Sequence, residues 1–146
     1  MKVIKKLAKI TSKEDGREIS YIRSEGLNFI ATNKYILAEI THNIPGINSG
    51  FISKENSKKM DNFTFEDVDL YNNLIKEDKD LKYPDYKKLL SDEEPMAKIK
   101  LNASYLKQLL DICDKDEEIE LNFYNEKQPL KITGTNKRLL ISSITN

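Results

Sequence analysis

Leu27-Asn28-Phe29-Ile30-Ala31-Thr32-Asn33-Lys34 lies over Leu130-Lys131-Ile132-Thr133-Gly134-Thr135-Asn136-Lys137 at an offset of 103 residues. Apolar and polar side chains alternate in both stretches, and both then reach an Asn-Lys pair, the pattern of a strand entering a hairpin. Ahead of each lies a second matched pair: Ile4-Lys5-Lys6-Leu7-Ala8-Lys9-Ile10 over Leu106-Lys107-Gln108-Leu109-Leu110-Asp111-Ile112, at an offset of 102. A helical pattern followed by a hairpin pattern, twice in the same order, reads as an internal duplication whose halves bury their sheet faces together. Chance agreement in a chain rich in lysine, isoleucine and asparagine is the competing explanation, and the shared order weighs against it.

The rest of the chain fills in around these anchors. From Met1 to Thr11, Val3, Ile4, Leu7, Ala8 and Ile10 follow helical spacing, with Lys2, Lys5, Lys6 and Lys9 on the other face. Glu18 to Ser24, with Ile19 and Tyr21 alternating, a turn at Ser24-Glu25-Gly26, then Leu27, Phe29 and Ala31, then Tyr35 to Thr41, predict a three-stranded meander. Turn signals at Pro45-Gly46 and Ser49-Gly50 precede a short helical stretch from Ser53 to Met60 that carries Lys54, Lys58 and Lys59. A strand from Asn62 to Phe65 and a helix from Val68 to Ile75 are expected in the segment that follows. Next come a strand from Ala97 to Leu101 and a helix capped by Asn102, with Leu106, Leu109, Leu110 and Cys113 on one face. Ile119, Leu121 and Phe123, then Leu130 and Ile132 after a turn near Lys127, then Leu139 to Ile144, predict a second meander. The expected fold is α+β. It is one domain over 1–146, made of half repeats at about 1–43 and 96–146 related by a pseudo-twofold, with helices on one face of antiparallel sheet and an irregular acidic segment, 44–95, between them.

Composition narrows the function classes. A chain of 146 residues is long enough for one full core. Its 24 basic and 24 acidic side chains cancel, so charge steering is local: residues 1–61 hold 11 basic and 7 acidic groups, while 62–95 hold 5 and 10. One cysteine, Cys113, excludes an internal disulfide, and the single histidine, His42, leaves a zinc site short of ligands. With no signal-peptide pattern and no apolar run of about 18 residues, a cytoplasmic protein is expected. A nucleophile beside a base, a glycine-rich phosphate loop and a clustered metal site are all missing from the pattern. Glu66-Asp67, Asp69 and Asp92-Glu93-Glu94 read as solvated acids. No enzymatic activity, cofactor or metal is expected.

Three segments resemble the bacterial DNA polymerase III beta sliding clamp. Phe29-Ile30-Ala31-Thr32-Asn33-Lys34-Tyr35-Ile36-Leu37-Ala38 is similar to its strand-turn-strand motif Val-Ala-Thr-Asp-Gly-His-Arg-Leu-Ala, although Asn33-Lys34 stands for the Asp-Gly turn and Ile36 for the arginine. Tyr83-Pro84-Asp85-Tyr86-Lys87-Lys88 resembles the clamp's Phe-Pro-Asp-Tyr-Arg-Arg segment, and Lys100-Leu101-Asn102-Ala103-Ser104-Tyr105-Leu106 its last strand-to-helix entry. The resemblance covers most of the chain and is thin between 44 and 80.

The resemblance implies a DNA-clamp fold whose helices face duplex DNA and touch its backbone without reading sequence. That role falls to Lys2, Lys5, Lys6, Lys9, Lys54, Lys58 and Lys59; the same residues read equally as a solvated lysine face. It also implies a pocket for short linear motifs of replication or repair proteins, carried over onto Thr32, Tyr35, Leu37, Pro84, Lys88 and Ser142 or Ser143. Tyr83, Pro84 and Tyr86 read equally as a linker packing its rings on the sheet edge. Two functions follow as expectations: a clamp-like module that binds a protein partner and contacts DNA, or a homo-oligomeric ring that acts as a processivity factor.

Overall fold

Ile4 and Leu7 stand three residues apart and both are buried, so α1 (Lys2–Ile10) turns one apolar stripe inward and leaves Lys2, Lys5, Lys6 and Lys9 exposed. The structure is a computed structural model and describes residues 2–13, 17–90 and 92–144. Its architecture is α+β with antiparallel sheets. Contacts concentrate in two compact units, the larger ending at Leu90 and the smaller beyond it.

In the larger unit, β1 (Ile22–Glu25), β2 (Asn28–Thr32), β3 (Leu37–Thr41) and β4 (Gly50–Ile52) form a sheet of order β3-β2-β1-β4. Arg23 lies opposite both Ile30 and Phe51, and Ile30 opposite Glu39, which places these four on one face. Ile22, Phe29, Ala31, Ala38, Ile40 and Ile52 point the other way, into the core under α1. Two further helices, α2 (Lys54–Lys59) and α3 (Val68–Leu74), complete that core with Met60 and Tyr71, each fully buried. Among the described residues, the buried hydroxyls of Thr11, Ser24, Thr32 and Ser57 each donate to a backbone carbonyl, those of Ala8, Asn48, Ile36 and Lys54 respectively.

Several expectations need correction here. The stretch read as an irregular joiner holds β4, α2 and α3. The expected helix over 53–60 forms, with the Ser53 side chain accepting from Asn56 N–H as its N-cap. No strand forms over Asn62 to Phe65; instead Asp67 accepts from both Thr64 N–H, at 2.7 Å, and the Thr64 hydroxyl, at 3.1 Å, in a turn leading into α3. A 3-10 turn at Glu18–Ser20 breaks the expected first strand, which starts only at Ile22; Ile19 is buried from that turn, and Ile22 and Ser24 are the buried residues of the strand.

The smaller unit pairs α4 (Ala103–Leu110) with β5 (Glu120–Asn122), β6 (Leu130–Gly134) and β7 (Lys137–Ile141), order β5-β6-β7. Asn102 caps α4 as expected, accepting from Ser104 and Tyr105 N–H. The helix stops before Cys113, which lies half-buried in the following turn. Segment 97–101 forms no strand, although Lys100 C=O accepts from Ile144 N–H at 2.8 Å. Each unit thus runs from helix to meander, but the hairpins differ: four residues, Asn33–Ile36, link Thr32 to Leu37, and only two link Gly134 to Lys137. Gly134, which aligns with Ala31, has no room for a Cβ because the Glu117 carboxylate occupies that place and pairs with Lys137 at 2.5 Å. Among the described residues, no helix is long and apolar enough to cross a membrane.

Candidate functional site

The lysine face is built on α1, with α2 and the turn at Met60–Asn62 packed beside it. Lys2, Lys6 and Lys9 are exposed, and no described residue pairs with them; the same holds for Lys58 on α2. Lys5 lies 3.8 Å from Asp61 and Lys59 3.6 Å from Glu55, surface pairs of little strength that leave both ammonium groups in reach of solvent. Lys54 departs from expectation. Its ammonium donates to Ser12 C=O at 2.9 Å and ties α2 to the segment after α1, so it serves the fold.

The hairpin Thr32–Leu37 brings three of the expected pocket residues together. Asn33 Oδ1 accepts from Tyr35 N–H at 3.0 Å and Ile36 N–H at 3.1 Å, and the Thr32 hydroxyl donates to Ile36 C=O at 2.7 Å. This bonding holds Lys34 at a φ of 83°, a left-handed conformation in a residue with a side chain. Thr32 is buried, Leu37 half-buried, and Tyr35 stands 91% exposed at the tip.

Pro84 and Lys88 belong to a strap, residues 77–90, that crosses the sheet face opposite α1. Tyr83 and Tyr86 stack edge-on at 6.3 Å, Tyr83 meets Phe51 at 6.3 Å, and the Tyr83 hydroxyl donates to Ile30 C=O at 3.4 Å. The rings therefore pack on the sheet face, not its edge, and leave Ile30, Phe51 and Tyr86 almost completely buried. Two ion pairs pin the strap to β1: Arg23 with Glu77 at 3.3 Å and Lys87 with Glu25 at 3.1 Å. Burial pushes the hydroxyls of Tyr83 and Tyr86 above their usual pKa, and Glu25 and Glu39 add to the effect at Tyr86.

Between strap and sheet lies a cavity of about 340 Å³ lined by Arg23, Phe51, Tyr83, Pro84 and Tyr86 among others. Thr32, Tyr35 and Leu37 take no part in that lining. Lys88 is exposed and pairs with Asp85 at 3.4 Å. Ser142, exposed, and Ser143, half-buried, follow β7 in the smaller unit. Sequence reading missed Arg23, Phe51 and Glu77. Alternation along β1 could have placed Arg23 outward, but its partner Glu77 stands 54 residues away and nothing local marks the pair.

His42 Nδ1 accepts from Ile44 N–H at 2.9 Å, its ring lies 4.4 Å from that of Phe29, and its Nε2 is buried. Burial lowers its pKa, opposed by the Gly26 backbone. The linkage has a definite sign: a base harder to protonate when folded contributes stability above its unfolded pKa of about 6.5 that is lost as pH falls. Urea midpoints should therefore drop between pH 7.5 and 5.5, and His42→Phe should flatten that drop; equal slopes would refute the assignment. Burial raises the Cys113 thiol, with Glu117 adding to the shift. No cluster of three or more metal-ligating side chains occurs among the described residues.

No family model, no curated protein and no solved structure matches this chain.

Proposed function

We propose that this chain is a non-catalytic, clamp-like module of DNA replication or repair that binds a protein partner through a peptide pocket and lays its α1 lysines against the duplex backbone. The observation that carries the reading is the arrangement of the larger unit. A helix with an exposed lysine row, of which Lys2, Lys6 and Lys9 pair with no described residue, covers one face of an antiparallel sheet, and a Tyr-Pro-Asp-Tyr strap covers the other. Backbone contact by exposed lysines needs no base readout and is lost with salt. The partner site in this reading comprises two separate elements of the larger unit, the Thr32–Leu37 hairpin with its exposed Tyr35 and the Pro84 strap, and an anchor side chain buried at either would contribute roughly 1.5–3 kcal/mol. The second reading, a ring-forming processivity factor, rests on the same lysine row.

Fluorescence anisotropy with a labelled clamp-binding peptide tests the pocket. Tyr35→Ala and Pro84→Ala, both at exposed positions, are each expected to weaken binding by roughly tenfold, the loss of one anchor contact. Unchanged affinity in both variants would remove the pocket from the proposal. Light scattering distinguishes the second reading, since a ring requires a mass of several copies.

A further inference from the structure

We propose that the outer edge of β5 is a self-association surface whose occupant is β5 of a second copy of this chain, related by a two-fold axis at Leu121. The smaller unit fully buries only Leu130, Ile132 and Ile141 among its described apolar residues, covered by Ile99, Leu101, Leu106 and Leu109. That cover reaches β6 and β7. Leu121 lies opposite Ile132, and Ile132 opposite Leu139, so Leu121 shares the apolar face with them and Ile119 and Phe123 continue it. Yet Ile119, Leu121 and Phe123 are 37%, 48% and 52% exposed. A core this small, with one strand of its apolar face open, falls short of what a unit of this size needs.

The edge itself is open. Among the described residues no backbone bond reaches the outer side of β5. The other edge strand, β7, begins with Lys137 and Arg138, charges of the kind that discourage strand addition. β5 has neither lysine nor proline.

A second copy answers the chemistry of this edge. With antiparallel strands centred on Leu121, Ile119 faces Phe123 and Glu120 faces Asn122, so an aliphatic-aromatic pair forms on the apolar face and no two acids meet. Centring on Glu120 would set two carboxylates together. The pair would make a six-stranded sheet and bury on the order of 1,000 Å², the low end for a specific interface, so dimerisation should depend on concentration. Such a contact closes at two copies. It is independent of the DNA and peptide reading, and it differs from a ring.

Light scattering over a wide dilution range tests it. The mass is expected to rise from 16.9 kDa toward twice that value with concentration. Leu121→Asp and Leu121→Lys, at a half-exposed position, should each remain folded by circular dichroism and dimerise at least about tenfold more weakly. Mixed in equal amounts they should pair again, because the axis sets residue 121 against itself. A mass of 16.9 kDa at every concentration overturns the proposal, as does a dimer that Leu121→Asp leaves intact. A monomer with exchange-protected β5 amides would show that the chain covers this edge itself and would also overturn it. A mass near six copies would support the ring instead.

Discussion

Gly50→Ala is expected to lower the melting temperature of the larger unit by at least about 10 °C, the equivalent of roughly 2–3 kcal/mol in a unit of this size. Gly50 opens β4 with a φ of 154°, a region that side-chain-bearing residues rarely adopt. A Cβ there would come within 2.8 Å of Ile75 Cγ2 and 2.9 Å of Lys76 C=O. Lys76 cannot yield cheaply, because it exchanges two backbone bonds with Phe51, at 2.8 and 3.0 Å, which close the outer edge of β4. Pushing it away would disturb Phe51, the ring under both Arg23, at 4.8 Å, and Tyr83. The substitution should therefore loosen the strap as well as the sheet. Thermal unfolding followed by circular dichroism checks it, and a melting temperature within a degree or two of wild type would contradict the close approach.

Neutralising Lys2, Lys6 and Lys9 together with glutamine should cut the salt dependence of duplex binding. Each phosphate contact contributes about 0.9 to the slope of log affinity against log salt, so the loss of three predicts a slope smaller by about 2.7. Affinity at low salt should fall at least about tenfold. Glutamine keeps good helix propensity, and all three side chains are exposed, so the fold should survive. Lys54→Gln offers a contrast: its ammonium is engaged by Ser12 C=O, so it should alter stability more than the salt slope. Anisotropy titrations of a labelled duplex at several salt concentrations decide the matter. Identical slopes for the triple variant and wild type, or no binding by wild type even at low ionic strength, would dismiss the lysine face as a DNA surface.

Local patterns made much of the architecture legible. The 3.6-residue spacing of Ile4 and Leu7 marks α1, the Ser53 and Asn102 side chains mark the starts of α2 and α4, and alternation at Phe29, Ala31, Leu130 and Ile132 marks β2 and β6. These signals are written within a few residues of where they act. The misreadings were also local: Glu18–Ser20 mimics strand alternation but forms a 3-10 turn, and Gly50–Ile52 is too short a run to announce β4.

What the sequence by itself determined is the placement of the four helices and of the β2–β3 and β6–β7 hairpins, the lysine row on the first helix, and the helix-then-meander plan of both units, because helical and strand periodicity are properties of neighbouring residues. Tertiary structure alone decided which charges are committed and which are free. Lys54 is withdrawn by Ser12, Arg23 by Glu77 and Lys137 by Glu117, across separations of 42, 54 and 20 residues. It also decided that Tyr83 and Tyr86 bury a sheet face and that the apolar face of β5 stays open. Such pairings depend on where distant segments meet in space, and residue spacing along a chain carries no record of that.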